Sequence, residues 1–173
     1  MNEVILVNEL DEQVGSMEKM EAHRLALLHR AFSVFIFNKK GEMLLQQRAD
    51  KKYHSPGLWT NACCSHPMPG ESTETAAHRR LKEELGFDTE IEHVFHFQYK
   101  TPFDNGLTEH ELDHVFIGTY DAEIKADPNE VKDFCFMPMD TISQHLQDHP
   151  HKFTSWFKIA FPKLEEHVAA KTF

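Results

Sequence analysis

The sequence has little of what holds small secreted proteins together. Its three cysteines are an odd number, and Cys63 and Cys64 are chain neighbours, where an ordinary disulfide is sterically awkward. A disulfide-stapled scaffold is thereby excluded, and free thiols are expected in a reducing cytoplasm. Seven glycines and eight prolines stand singly along 173 residues, with no Gly/Ser linker, repeat or low-complexity tract. One domain spanning 1–173, with a core over about 28–165, is therefore expected. No apolar run approaches the ~20 residues needed to cross a bilayer. Met1 to Glu12 holds only the short run Val4 to Val7 before acids, unlike a signal peptide. Positive charge is scarce too: 18 Lys and Arg against 28 Asp and Glu give a net charge of −10. That excludes a surface built to coat nucleic acid, while leaving room for a local basic pocket.

What is present is a globular balance, 40% hydrophobic and 27% charged, in a chain long enough to hide roughly 70% of its extended surface. Thirteen histidines are many, and hint at metal or proton chemistry. Ala31 to Phe37 and Met43 to Gln47 read as strands joined by the turn Asn38 to Gly41. Leu58 to Ala62 is a third candidate strand, and Ile91 to Tyr99 alternates, with Phe95, Phe97 and Tyr99 on one side. Glu111 to Tyr120 and Asp133 to Met137 are further strands. Ser72 to Leu85 reads as a helix, capped by Ser72, apolar at Ala77, Leu81 and Leu85, and stopped by Gly86. Helices over Thr141 to Gln147 and roughly Thr154 to Ala170 close the chain, with a kink expected at Pro162. These elements predict an α+β fold, a mixed sheet packed by helices, with additions at both ends.

The helix and the loop before it carry the most information. Arg79, Glu83 and Glu84 lie within about one turn, placing a guanidinium and two carboxylates on one face. Alone, such a cluster is an ordinary ion-paired surface. Together with Gly70-Glu71-Ser72 and Leu85-Gly86-Phe87 it resembles the Nudix box, a loop–helix–loop signature that holds divalent cations against a diphosphate. Ser65 stands where that pattern has its leading Gly, and Arg80 where it has a second acid. Loss of that carboxylate weakens the assembly of several cations that hydrolysis of a pyrophosphate needs.

Upstream lies Trp59-Thr-Asn-Ala-Cys63-Cys64-Ser-His66-Pro67. In extended chain, Cys64 and His66 share a side and Cys63 faces elsewhere. Glu109 and Glu111 have the same spacing and project together if extended. His23, His29 and His66 with these two glutamates would form a five-ligand N/O site for Mn²⁺, Mg²⁺ or Zn²⁺.

Taken jointly, the Asn61 to Pro67 stretch, the Nudix-like helix, Tyr99, Glu109-His-Glu111 and Trp156 resemble type I isopentenyl diphosphate isomerases, from about Glu18 to Trp156. The resemblance implies His23, His29, His66, Glu109 and Glu111 as ligands of a protein-bound divalent cation. It implies Glu84 as the ligand of Mg²⁺ arriving with the substrate diphosphate. Cys64 and Glu111 would transfer protons on opposite faces of an alkene, with Tyr99 sharing the Glu111 proton. Cys64 would act as a thiolate, which requires a lowered pKa. Trp156 would stabilise a cationic intermediate through its ring face. Lys19, Arg48, Lys52 and Arg80 would grip phosphate oxygens. The implied partner is a small allylic or homoallylic diphosphate, with no nucleic acid or membrane, for a monomer or weak homodimer. A Nudix hydrolase of nucleoside diphosphate derivatives shares the fold but leaves Cys64 without work. A non-catalytic binding domain likewise has no use for a thiol opposite a carboxyl.

Overall fold

The computed structural model describes residues 2–52 and 54–171; Met1, Tyr53 and residues 172–173 lie outside that description. Nine strands form one mixed sheet among the described residues: β1 (Glu3–Val7), β2 (Gln13–Glu18), β3 (His29–Phe37), β4 (Met43–Arg48), β5 (Trp59–Thr60), β6 (Cys63–Ser65), β7 (Ile91–Pro102), β8 (Thr108–Thr119) and β9 (Val131–Met137). Four α-helices accompany it among the described residues: α1 (Lys19–Arg24), α2 (Thr73–Leu85), α3 (Met139–Asp148) and α4 (Ser155–Lys171). Among the described residues no helix is long and apolar enough to cross a membrane.

Strand β3 organises the molecule. It pairs in parallel with β8 from His29↔Glu111 to Phe37↔Thr119, and antiparallel with β6 at Ser33↔Cys64. Its apolar run from Ala31 to Phe37, interrupted only by the buried Ser33, is explained by burial on both faces, the usual situation of a strand covered by helices on each side. Phe32, Val34 and Ile36 enter one core with Leu44 of β4 and Ala77, Leu81 and Leu85 of α2. Phe35 enters the other with Met43 and Leu45 of β4 and Trp156, Phe157 and Phe161 of α4. Period-two alternation thus feeds two cores from the same strands. Each fully buried Phe or Leu contributes about 1.5–3 kcal/mol.

The expected helix forms as anticipated. Ser72 is its N-cap and accepts a bond from the Thr75 amide, and Gly86 ends it at φ +72°. Glycine is required there, because a Cβ would meet the Lys125 carbonyl oxygen at 2.6 Å. The predicted strand at Leu58 to Ala62 is instead the two-residue β5, followed by β6 over Cys63–Ser65. Asn61 interrupts them, its side-chain amide donating to the Val34 and Cys63 carbonyls at 2.8 and 3.0 Å. Alternation along β7 is also broken, by a bulge between His93 and Phe95. The Val4 to Val7 run, read from sequence only as too short for a leader, belongs to the β1–β2 hairpin, whose Val4, Ile5 and Val7 are buried. That hairpin and α1 are the addition that closes one side of the site.

Candidate active site

Glu111 is the hub, and strand register puts it there. Its cross-strand neighbour on β7 is Tyr99, and its parallel neighbour on β3 is His29. The Tyr99 hydroxyl donates to Glu109 at 2.7 Å and to Glu111 through a short contact. Glu111 Oε2 lies 2.6 Å from His66 Nε2 and 3.2 Å from His29 Nε2. The residue is 4% exposed. Burial favours the neutral acid, yet His66 and His29 together hold it well below the ordinary carboxylate range. Burial likewise lowers His66 to about 4, so that ring is neutral near pH 7.

Helix α1 supplies the next element. Lys19 and His23 stand four apart, on one face. His23 Nδ1 lies 2.6 Å from the Lys19 carbonyl and His29 Nδ1 lies 2.9 Å from the Leu27 carbonyl. A carbonyl can only accept, so Nδ1 of each ring carries a hydrogen, which in the neutral form of the ring leaves Nε2 as the lone pair. The ligand-capable nitrogens of His23, His29 and His66 and a Glu111 oxygen all lie within 4.8 Å of one another. Lone pairs and a carboxylate converging in a buried space is a donor set that fits a divalent cation of borderline character. Glu109 stands in a second, adjoining group with His23 and His54. Its Oε2 is 2.8 Å from His54 Nε2 and 3.8 Å from His23 Nε2.

The two adjacent cysteines separate as extended geometry requires. Cys63 is fully buried on the α2 side, its Sγ donating to Glu84 at 3.3 Å. Cys64 opens into a cavity of about 180 Å³ that also receives His66, Tyr99, Glu111 and Trp156. Its thiol donates to Asn61 Oδ1 at 3.0 Å, receives the Trp156 indole N–H at 3.0 Å, and lies 3.5 Å from Ser33 Oγ. The lowered thiol pKa anticipated from sequence is not what these surroundings provide. Burial pushes Cys64 well up, and the Asp113 carboxyl adds to the effect, so the group is a protonated thiol. Tyr99 is raised in the same way by burial and by Glu109.

The anticipated basic residues Lys19, Arg48, Lys52 and Arg80 all reach the cavity wall. Burial first, then the neighbouring Lys52 and Arg80 charges, lower the Lys19 pKa. Lys52 pairs with Glu130 at 2.5 Å, and Arg48 sits 5.1 Å from the Trp156 ring centroid. Arg80 pairs with Glu84 at 3.0 Å and with Glu130 at 3.4 Å. Glu84 belongs to neither histidine group, and its charge is already met by the arginine that replaces the second box acid. Arg79 clamps Glu71 through two bonds of 2.8 and 2.9 Å, fixing the loop before α2.

Sequence reasoning missed His54, Ser33, Asn61 as a thiol partner, and Asp113. His54 is 4% exposed, stacked 4.8 Å from Phe103 and edge-on to Trp156 at 5.5 Å. No spacing relates it to the other histidines. Ser33 and Asp113, 2.8 Å apart, were hidden within strands, although both line the cavity with Glu111.

With this geometry in place, comparison with known proteins is direct. The NUDIX domain model matches residues 27–157. An isopentenyl-diphosphate Delta-isomerase of Pectobacterium atrosepticum is 47% identical, covering 98% of this chain and 95% of its own. Another, from Aliivibrio fischeri, is 40% identical, covering 95% of this chain and 96% of its own. A crystal structure of a Deinococcus radiodurans protein shares the fold at TM-score 0.79 and 20% identity, covering 94% of this chain and 98% of that one. The chain therefore belongs to the NUDIX family and, within it, to the isopentenyl-diphosphate Delta-isomerases.

Proposed function

We propose that the enzyme interconverts isopentenyl and dimethylallyl diphosphate by protonating and deprotonating the alkene, in supply of isoprenoid biosynthesis. The observation that carries the reading is a cysteine thiol sharing one small cavity with a glutamate–tyrosine pair. Shifting a double bond requires one proton delivered and another removed, from positions two carbons apart. Cys64 serves one of these positions and Glu111, coupled to Tyr99, the other. The protein surroundings keep Cys64 and Tyr99 protonated and Glu111 ionised. Because the reaction is reversible, each group must act as acid in one direction and base in the other. Ionisation of Cys64 is assisted by the indole N–H of Trp156 at 3.0 Å.

An unactivated alkene is a feeble base, so the cationic intermediate needs stabilisation beyond proton transfer. The Trp156 ring offers its π-face, and a desolvated cation there gains about 2 kcal/mol or more. Arg48 already lies over that ring, and binding of a diphosphate would draw the guanidinium toward phosphate oxygens. Lys19, Lys52 and Arg80 complete the basic rim. His23, His29, His66, Glu109 and Glu111 would hold a divalent cation, Mn²⁺, Mg²⁺ or Zn²⁺; bound there it supplies Lewis acidity beside Glu111. Glu84 would release Arg80 to meet the Mg²⁺ that accompanies the diphosphate. With Cys63, Cys64 and Cys135 all free, the reading places the enzyme in a reducing cytoplasm, as a monomer or weak homodimer.

Incubation with isopentenyl diphosphate and Mg²⁺ in D₂O tests the proposal. Deuterated dimethylallyl diphosphate without free phosphate is expected. Phosphate release would favour a hydrolase, and neither product would leave a binding domain.

A further inference from the structure

On the opposite face of β8 from the cavity lies a third group of histidines. Glu111 and Asp113 point into the cavity, so His114, of the other parity, faces away from it. Its cross-strand neighbour is His96. His93 stands three positions before His96, a spacing that in a regular strand sets side chains on opposite faces. The bulge between His93 and Phe95 inserts one extra residue and restores both to the same face. The three rings consequently converge: His93 and His114 centroids are 5.1 Å apart, and His96 and His114 centroids 5.5 Å. One nitrogen from each lies within 4.8 Å of the others.

We propose that His93, His96 and His114 form a surface site for a borderline divalent cation such as Zn²⁺, Ni²⁺ or Cu²⁺, with Asp11 orienting His114 from behind. Three imidazoles select such ions over Mg²⁺ or Ca²⁺, which prefer oxygen donors. His93 Nε2 and His114 Nδ1 are 2.9 Å apart; two nitrogens on a tetrahedral ion at about 2.0–2.1 Å would be about 3.3 Å apart. A small rotation of the exposed His93 ring closes that difference. The backing carboxylate is the second observation. His114 Nε2 donates to Asp11 Oδ2 at 2.8 Å, which leaves Nδ1 as the lone pair aimed at His93. Asp11 is itself held by Arg30, through Nε to Oδ1 at 2.8 Å and Nη2 to the backbone carbonyl at 2.7 Å. A carboxylate, histidine and open ligand position in sequence is the arrangement that fixes tautomer and direction in metal sites. Water would complete the coordination shell.

The test is equilibrium dialysis of the full chain against Zn²⁺, followed by elemental analysis. Wild type is expected to retain one more ion per chain than the His93→Ala/His96→Ala double variant, with isomerase turnover equal in both. Both side chains are exposed, so the double variant keeps its fold, which circular dichroism verifies. Equal zinc content in the two proteins overturns the site. Asp11→Asn keeps the local backbone, since Asn tolerates the positive φ of 63° found there. It should weaken the surface ion by about 10–100-fold, and unchanged affinity removes Asp11 from the site.

Discussion

At the scale of single residues, the two neighbouring cysteines illustrate how strand parity separates chemistry from packing. Cys63 is enclosed in the α2 core and Cys64 faces the cavity. Replacing Cys64 by Ala is expected to lower kcat by ~10²–10⁴-fold or more, the range for loss of a proton-transfer group. Cys63→Ala should stay within a few-fold of wild type in turnover and cost about 1 kcal/mol of stability, for a small loss of packed volume. Dimethylallyl diphosphate formation checks the first and urea denaturation the second. Reversal of the two activities would reassign the thiols.

Helix α2 with its flanking loops shows the same logic at the scale of an element. Gly41 and Gly86 both adopt positive φ, at 77° and 72°, but only Gly86 has a neighbour where a Cβ would stand. Gly41→Ala should cost about 1–2 kcal/mol for the left-handed backbone alone. Gly86→Ala should cost clearly more, because the Lys125 backbone must also move; equal urea midpoints would refute this. The loop before the helix depends on Glu71. Hydrogen bonds from the Arg79 guanidinium hold its carboxyl below the usual range. A depressed folded value means stabilisation that is present above the unfolded pKa of about 4.3 and lost as pH falls through the folded one. Glu71→Gln should therefore be less stable than wild type at pH 7, with the gap between their denaturation midpoints narrowing toward pH 3. A gap independent of pH would exclude the ion pair as its cause.

For the molecule as a whole, the buried donor set would link a bound cation to folding. His23, His29 and Glu111 come from α1, β3 and β8, and His66 from the loop after β6. An ion held by all four ties the N-terminal addition to the sheet. Dialysis against a chelator should abolish turnover and lower the melting temperature, and restored cation should return both. At a hundredfold excess over Kd the stabilisation amounts to about 2.7 kcal/mol. A melting temperature unaffected by chelation would place the ion outside this group. His66→Ala should bind less metal by elemental analysis.

Much of this enzyme was legible from residue types and short spacings alone. The Ser72 cap, the Gly86 stop and the apolar repeat of α2 are local features, decided within a few residues of chain, and they formed as expected. So were the thiol and histidine two apart, and the paired glutamates, because extended chain alternates regardless of its surroundings. The protonated state of Cys64 was not legible, since it follows from burial against Asp113, a residue 49 positions further on. Nor was the recruitment of His54 to Glu109, or the meeting of His93 with His96 across a bulge. Register between strands is set by how two cores fill on either side of the sheet. No local pattern carries that information, so which side chains finally touch was decided by tertiary packing.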